Sequence, residues 1–286
     1  MIQPDAIFGY DFGSACATYA ARDAILYALG LGVGADPLDA GDLRFLDERA
    51  LVVLPSFAVT LCTPGMWIRD PALGVDFGKL VHAAQWAEFP HPLPTGADVV
   101  GTAKVIALTD RGEGRGAVLV LERTIADAAT GALYCRLHQT LLLRGDGGFG
   151  GPPDPRSSWT QPDRAPDAMA EFAVSPRAAL IYRLSGDWNP LHLDPAIAAK
   201  AGFPRPILQG LASYGIAAAA ISRALGRDAA QLNHLACRFA GIVLPGDTLR
   251  FSIWEDDANR ARFVAHIGSD DEQRKVLDAG EIGWRA

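Results

Sequence analysis

The sequence predicts an α+β chain made of two tandem copies of one unit, each an antiparallel sheet, with one long interior helix in the second copy. Three observations carry this: a Gly- and Pro-dense break near the middle, the same order of elements on either side of it, and a helix apolar on nearly every side. The break begins at Arg144-Gly145-Asp146-Gly147-Gly148-Phe149-Gly150-Gly151. It runs through Pro152, Pro153 and Pro155 to Pro166. It divides the chain into a first unit over 1–145, a connector over 146–165 and a second unit over 166–286.

Each unit opens with a short helical pattern carrying an apolar-Tyr-x-Leu signature. The copies are Ile25-Leu26-Tyr27-Ala28-Leu29 and Leu180-Ile181-Tyr182-Arg183-Leu184. His82-Ala83-Ala84-Gln85 with Leu93-Pro94 then matches His234-Leu235-Ala236-Cys237 with Leu244-Pro245. After each Leu-Pro the pattern alternates as strands do. Val105 to Leu108, Ala117 to Arg123 and Leu133 to Leu143 are strands of the first unit. Leu249 to Trp254, Arg262 to Ile267 and Val276 to Trp284 are their counterparts. The interior helix spans Gln209 to Leu225, Ala-rich and apolar all round. Its counterpart near Leu54 to Val59 is soon broken by Thr63-Pro64-Gly65, so the first unit has lost its long helix.

Composition narrows the function. The 286 residues are 49% hydrophobic and 21% charged, which is globular. A net charge of -7 disfavours a nucleic-acid partner. Cys16, Cys62, Cys135 and Cys237 are scattered without a CxxC pair, which points to a reducing compartment, the cytoplasm, and to no zinc site. No secretory signal, peroxisomal SKL-type end or membrane span is visible. The GxGxxG-like run at Gly145 to Gly150 leads into prolines instead of a helix, so it is no dinucleotide site.

The chemistry concentrates in Ser185-Gly186-Asp187-Trp188-Asn189-Pro190-Leu191-His192. Asp187 and His192 are five apart, about 140° around a regular helix, so they converge only across a loop. A converging carboxylate and imidazole form an acid–base pair. Asn189 can orient a water through its carbonyl and its amide. Such a trio suits addition of water to an activated double bond, and equally hydrolysis. Asp, Asn and Pro are also ordinary turn formers. Five such positions coincide by chance in on the order of one chain in ten thousand, which favours the functional reading. Downstream, Pro206 and Gly210 stand where the interior helix begins, a place for backbone N–H donors to a carbonyl that gains negative charge.

Ser185 to Pro195 (SGDWNPLHLDP) followed by Ala201 to Leu211 (AGFPRPILQGL) closely resembles the hydratase 2 motif of the MaoC-like (R)-specific enoyl-CoA hydratases. Arg22 to Gly30, Leu43 to Leu46, Lys79 to His82, Pro92 to Pro94 and Arg144 to Gly151 resemble the two-domain form found in peroxisomal multifunctional enzyme type 2. The resemblance implies a double hot dog fold. It implies reversible syn hydration of trans-2-enoyl-CoA to (3R)-hydroxyacyl-CoA without metal or redox cofactor. It gives Asp187 and His192 the roles of dyad, Asn189 that of water holder, and Gly210 that of thioester-oxygen donor. The first unit has Gly32, Gly34 and Pro37 at the dyad positions, so one site per chain is expected. Lys79, His82, Lys200, Arg205 and Pro206 are the candidate substrate and CoA contacts. His82-Ala83-Ala84-Gln85 and Gln209 depart from the relatives' usual His-Gly-Glu-Gln and His, which bears on the acyl tunnel. A homodimer acting on medium, long or bulky acyl chains is expected. The alternatives are a hot-dog thioesterase, disfavoured because Gln209 to Leu225 holds no Asp or Glu, and a non-catalytic acyl-CoA-binding or assembly module, disfavoured by the intact Asp-Asn-His set.

Overall fold

The computed structural model describes residues 2–153, 158–269 and 272–286, so Pro155 of the connector lies outside the described residues. Its frame is one ten-stranded sheet, antiparallel throughout, in the order β1-β3-β4-β5-β2-β7-β10-β9-β8-β6. The first five strands are β1 (Ser14–Tyr19), β2 (Leu80–Glu88), β3 (Ala97–Asp110), β4 (Ala117–Asp127) and β5 (Leu133–Leu143). The last five are β6 (Ala168–Ala173), β7 (Leu232–Phe239), β8 (Thr248–Asp257), β9 (Arg260–Ile267) and β10 (Arg274–Trp284). Read from each edge inward, both halves run first-third-fourth-fifth-second in chain order. They meet where β2 pairs β7, Trp86 opposite Ala236. This is the repeat read from the sequence, expressed as topology.

The six predicted strands lie within β3, β4, β5, β8, β9 and β10, because their apolar residues alternate onto one buried face. The sequence reading did not assign β1, β2, β6 and β7. β1 and β6 are short edge strands, and the central β2 and β7 interrupt the alternation with His, Gln, Asn and Arg.

The helices are α1 (Pro4–Phe8), α2 (Ala21–Leu31), α3 (Ala40–Leu43), α4 (Ala178–Tyr182), α5 (Pro195–Lys200) and α6 (Gly210–Ala224). α6 is the predicted interior helix, with Gln209 at its N-cap and Leu225 at its C-cap. It is buried from Ala212 to Ala218 and packs on both halves of the sheet. Two side-chain bonds fix it: the Tyr214 hydroxyl donates to the Leu235 carbonyl at 2.8 Å, and the Trp284 indole donates to Ser222 Oγ at 2.9 Å. In the first unit a 3-10 helix over Pro55–Thr60 stands in place of a long helix, buried in the same core. The buried Arg123 guanidinium donates to the carbonyls of Val59 and Leu61 at its C-terminal end, and burial lowers its pKa to about 10.

The connector is fastened at both ends. Asp110 accepts the N–H groups of Gly148 and Gly150, and Arg262 and Trp254 donate to the carbonyls of Thr160 and Arg164. At the crossing of α2 and α4, a Cβ on Gly30 would lie 3.0 Å from Tyr182 Cα and 3.1 Å from its backbone N. A side chain there drives the two helices apart. Gly30→Val is expected to destabilise the fold by about 1–3 kcal/mol, lowering the melting midpoint by roughly 3–8 °C in a thermal scan. An unchanged midpoint would deny this close packing.

Candidate active site

Local backbone chemistry builds the loop after α4. A 3-10 turn over Arg183–Ser185 ends at Gly186, whose φ of 107° is open to glycine and strained for other residues. Asp187 Oδ1 then accepts the Asn189 N–H at 3.2 Å, and Asn189 Oδ1 accepts the Leu191 N–H at 3.1 Å. Pro190 starts a second 3-10 turn, Pro190–His192. This sequence of caps replaces a regular helix and brings Asp187 Oδ2 to 3.6 Å from His192 Nε2. Asp187 is 40% exposed and His192 only 9%, so one partner meets solvent while the other is enclosed.

The enclosed imidazole is oriented from its far side. His192 Nδ1 lies 2.9 Å from the carbonyl oxygen of Ile207. A carbonyl only accepts, so Nδ1 carries the hydrogen and neutral His192 presents a bare lone pair at Nε2. Two acceptors, Nε2 and Oδ2, thus face one another beyond hydrogen-bond distance. A water seated between them would donate one hydrogen to each and turn its own lone pairs outward.

Ile207 also donates its N–H to Leu191 at 3.3 Å, and Gln209 Nε2 donates to the Ala179 carbonyl at 3.1 Å. These bonds lock the dyad loop and α4 to the start of α6. Gly210, the first residue of α6, is exposed there, and its N–H has no hydrogen-bond partner among the described residues. The first turn of α6 holds no acidic residue, so the positive end of a 15-residue helix is uncompensated.

The other predicted residues fall less uniformly. Asn189 Oδ1 caps the Leu191 N–H with one lone pair, which leaves its second lone pair and its amide N–H groups for a water. Pro206 lies four residues before α6 and not at its first turn, because the chain crosses Ile207 and Leu208 to bond the dyad loop and Val243 before the helix starts. Gln209 is fully buried and its Nε2 donates to the Ala179 carbonyl, which braces the helix start. Lys79 is held by Asp76 at 3.1 Å. Lys200, at the end of α5, and Arg205 are exposed and outside every ion pair among the described residues. His82 sits at a bulge in β2, Nε2 3.0 Å from the Ala84 carbonyl, with its ring edge-on to Phe239 at 5.0 Å. Phe239 in turn lies 3.3 Å from where a Gly210 Cβ would be, so His82 stands one ring away from the helix start.

Burial pushes the His82 pKa down to about 4. That is below the value near 6.5 of an unfolded histidine, so between these values the unfolded chain binds the proton better. His82 therefore contributes full stability above about pH 6.5, lost as pH falls toward 4. His82→Gln is expected to flatten that part of the acid limb in denaturant titrations. Equal slopes for both proteins would deny the shielding.

The sequence reading missed the Ile207 carbonyl, since a backbone acceptor leaves no trace in residue identity. It also passed over the contact of Arg183 with Trp188, 4.6 Å from guanidinium to ring centre, though Trp188 lies inside the motif.

A double hot-dog sheet whose second unit alone carries an Asp–His pair beside an interior helix defines the class. A Mycobacterium tuberculosis protein described as a double hot-dog fold shares that architecture, with a TM-score of 0.62 at 16% identity over 94% of this chain and 93% of that one. Two family models match in tandem: the MFE-2 hydratase 2 N-terminal domain over residues 17–145 and the MaoC like domain over 158–273. The chain belongs to the MaoC-like hydratase 2 family. It is 37% identical over 269 residues to enoyl-CoA hydratase ChsH3 of Mycobacterium tuberculosis, covering 92% of each. It is 36% identical over 287 residues to the peroxisomal enoyl-CoA hydratase 2 of Arabidopsis thaliana, covering 94% of this chain and 91% of that one. The crystal structure of a MaoC-like dehydratase from Phytophthora capsici matches with a TM-score of 0.84 at 30% identity over 99% of both chains.

Proposed function

We propose that this chain is an enzyme, an (R)-specific enoyl-CoA hydratase that adds water reversibly and syn to trans-2-enoyl-CoA, giving (3R)-hydroxyacyl-CoA. The observation that carries the reading is the Asp187–His192 pair, 3.6 Å apart, with the imidazole tautomer set by Ile207, at the open N-terminus of α6. The names of the relatives support it.

In this reading the water oxygen bonds to C3 as the His192 Nε2–Asp187 Oδ2 pair takes one of its hydrogens, and the other stays on the oxygen as the new C3 hydroxyl. The C2–C3 π pair moves toward the thioester, and its oxygen takes up negative charge against the Gly210 N–H and the helix dipole. The pair then returns one proton to C2 on the same face, so every atom of water ends in the product. Base assistance of this kind is worth about 10²–10⁴ in rate. α6 contains no Asp or Glu, which disfavours the thioesterase reading.

The catalytic unit is 166–286, the first unit over 1–145 serves acyl and CoA binding, and 146–165 joins them. Medium, long or bulky acyl chains are the preferred substrates, supported by the 3-10 helix that stands in the first unit where the second has a 15-residue helix. A strict preference for the four-carbon ester counts against this. Four free cysteines support a reducing compartment such as the cytoplasm. A homodimer is expected, which light scattering measures. Among the described residues no helix is long and apolar enough to cross a membrane.

The test follows loss of the enoyl absorbance of a 2-enoyl-CoA and then the chirality of the product. Formation of the (3R) alcohol supports the reading. No loss of absorbance, or the (3S) alcohol, overturns it.

A further inference from the structure

We propose that Arg183 and Trp188 form the docking plate for the adenosine 3′-phosphate end of coenzyme A, a binding subsite apart from the dyad that rests on the hydratase reading above. Trp188 directly follows Asp187, yet its side chain turns outward and is 57% exposed. Trp67, Trp254 and Trp284 are buried, and Trp86 and Trp159 are half-buried, so among the described tryptophans this ring alone is exposed. An exposed indole gains nothing from packing on the core. Here it serves as a plate, with the Arg183 guanidinium 4.6 Å over the ring.

Arg183 itself is unusual. It has no carboxylate partner among the described residues, and its buried Nε has no hydrogen-bond partner there. A cation held against an aromatic ring without a counter-ion lacks an anion, and a planar guanidinium matches phosphate oxygens. The surroundings agree. Residues 174–210 carry four basic side chains, Arg177, Arg183, Lys200 and Arg205, against two acidic ones, although the chain as a whole is at -7. Of the two acidic residues, Asp187 is in the dyad and Asp194 caps α5, accepting the N–H groups of Ala196 and Ile197. This stretch is thus net positive within an acidic protein, and it contains the dyad loop and the start of α6. A purine stacks on an indole and its phosphates meet a guanidinium, so one plate takes both ends of the nucleotide.

The test compares a 2-enoyl-CoA with the same acyl group on N-acetylcysteamine, which keeps the thioester and lacks the nucleotide. It adds calorimetric titration with free coenzyme A, which needs no turnover. For Arg183→Gln and for Trp188→Leu, the KM for the CoA ester and the Kd for coenzyme A are each expected to rise about tenfold. kcat and all N-acetylcysteamine kinetics should stay within twofold. Trp188→Phe, which keeps a ring, should recover most of the affinity. The proposal is overturned if coenzyme A binds both variants as it binds the wild type. It is equally overturned if the N-acetylcysteamine ester loses as much as the CoA ester, since the pair would then serve only the loop. A wild type that binds coenzyme A through this pair and hydrates neither ester would sink the hydratase reading and leave the subsite standing.

Discussion

Asp187→Asn or His192→Gln is expected to lower hydration turnover by about 10²–10⁴-fold while leaving the affinity for a CoA ester within a few-fold. The reason lies in the division of labour within the loop. Asp187 Oδ1 caps the Asn189 N–H, and Oδ2 faces His192. Asparagine retains a carbonyl oxygen for the cap and offers an amide N–H₂ where a water needs an acceptor, so the loop keeps its shape and the water loses its partner. Glutamine at 192 can neither take a proton at neutral pH nor keep a ring against Ile207. Neither side chain belongs to the Arg183–Trp188 plate, so ester binding survives. Steady-state kinetics with calorimetric binding separates the two effects. Two variants that turn over like the wild type would remove the dyad from the mechanism.

The second large effect is expected from a substitution that leaves every side chain of the site in place. Gly210→Pro deletes one backbone N–H, the proposed donor to the thioester oxygen. The position tolerates proline: it is the first residue of α6, where proline's fixed φ suits the helix and the lost N–H has no partner within it. The preceding Gln209 already has φ -60° and ψ 137°, the extended conformation a following proline requires. The new ring meets the edge of Phe239, 3.3 Å from the Cβ position, a contact a small side-chain shift relieves. Stability should therefore change little, while kcat falls about 10²–10³-fold, the usual loss for one oxyanion donor. Gly210→Ala makes the same contact with Phe239 and keeps the N–H, so its kcat should stay within a few-fold. If proline and alanine behave alike, the donor lies elsewhere.

Much of this was legible in the residues. The spacing of Asp187 and His192, useless on a helix, forced a loop, and Gly186 and Pro190 supply its turns. The Ala-rich stretch after Gln209 marked an interior helix within one residue of its observed ends. The repeat emerged because the two Tyr helices and the three strands next to each edge strand kept their pattern. What stayed hidden has physical causes. β2 and β7 sit at the centre of the sheet, where polar residues such as His82, Gln85 and Arg238 break the alternation. The capping duty of Asn189 depends on a turn whose torsions no residue type dictates alone. The Ile207 carbonyl, which sets the His192 tautomer, belongs to the backbone.

The most direct test of the central claim is turnover of a trans-2-enoyl-CoA in water enriched in oxygen-18, with mass analysis of the product. The account predicts an intact CoA thioester that has gained one labelled hydroxyl at C3. Label in a free carboxylic acid, with coenzyme A released, would contradict it and make the chain a thioesterase.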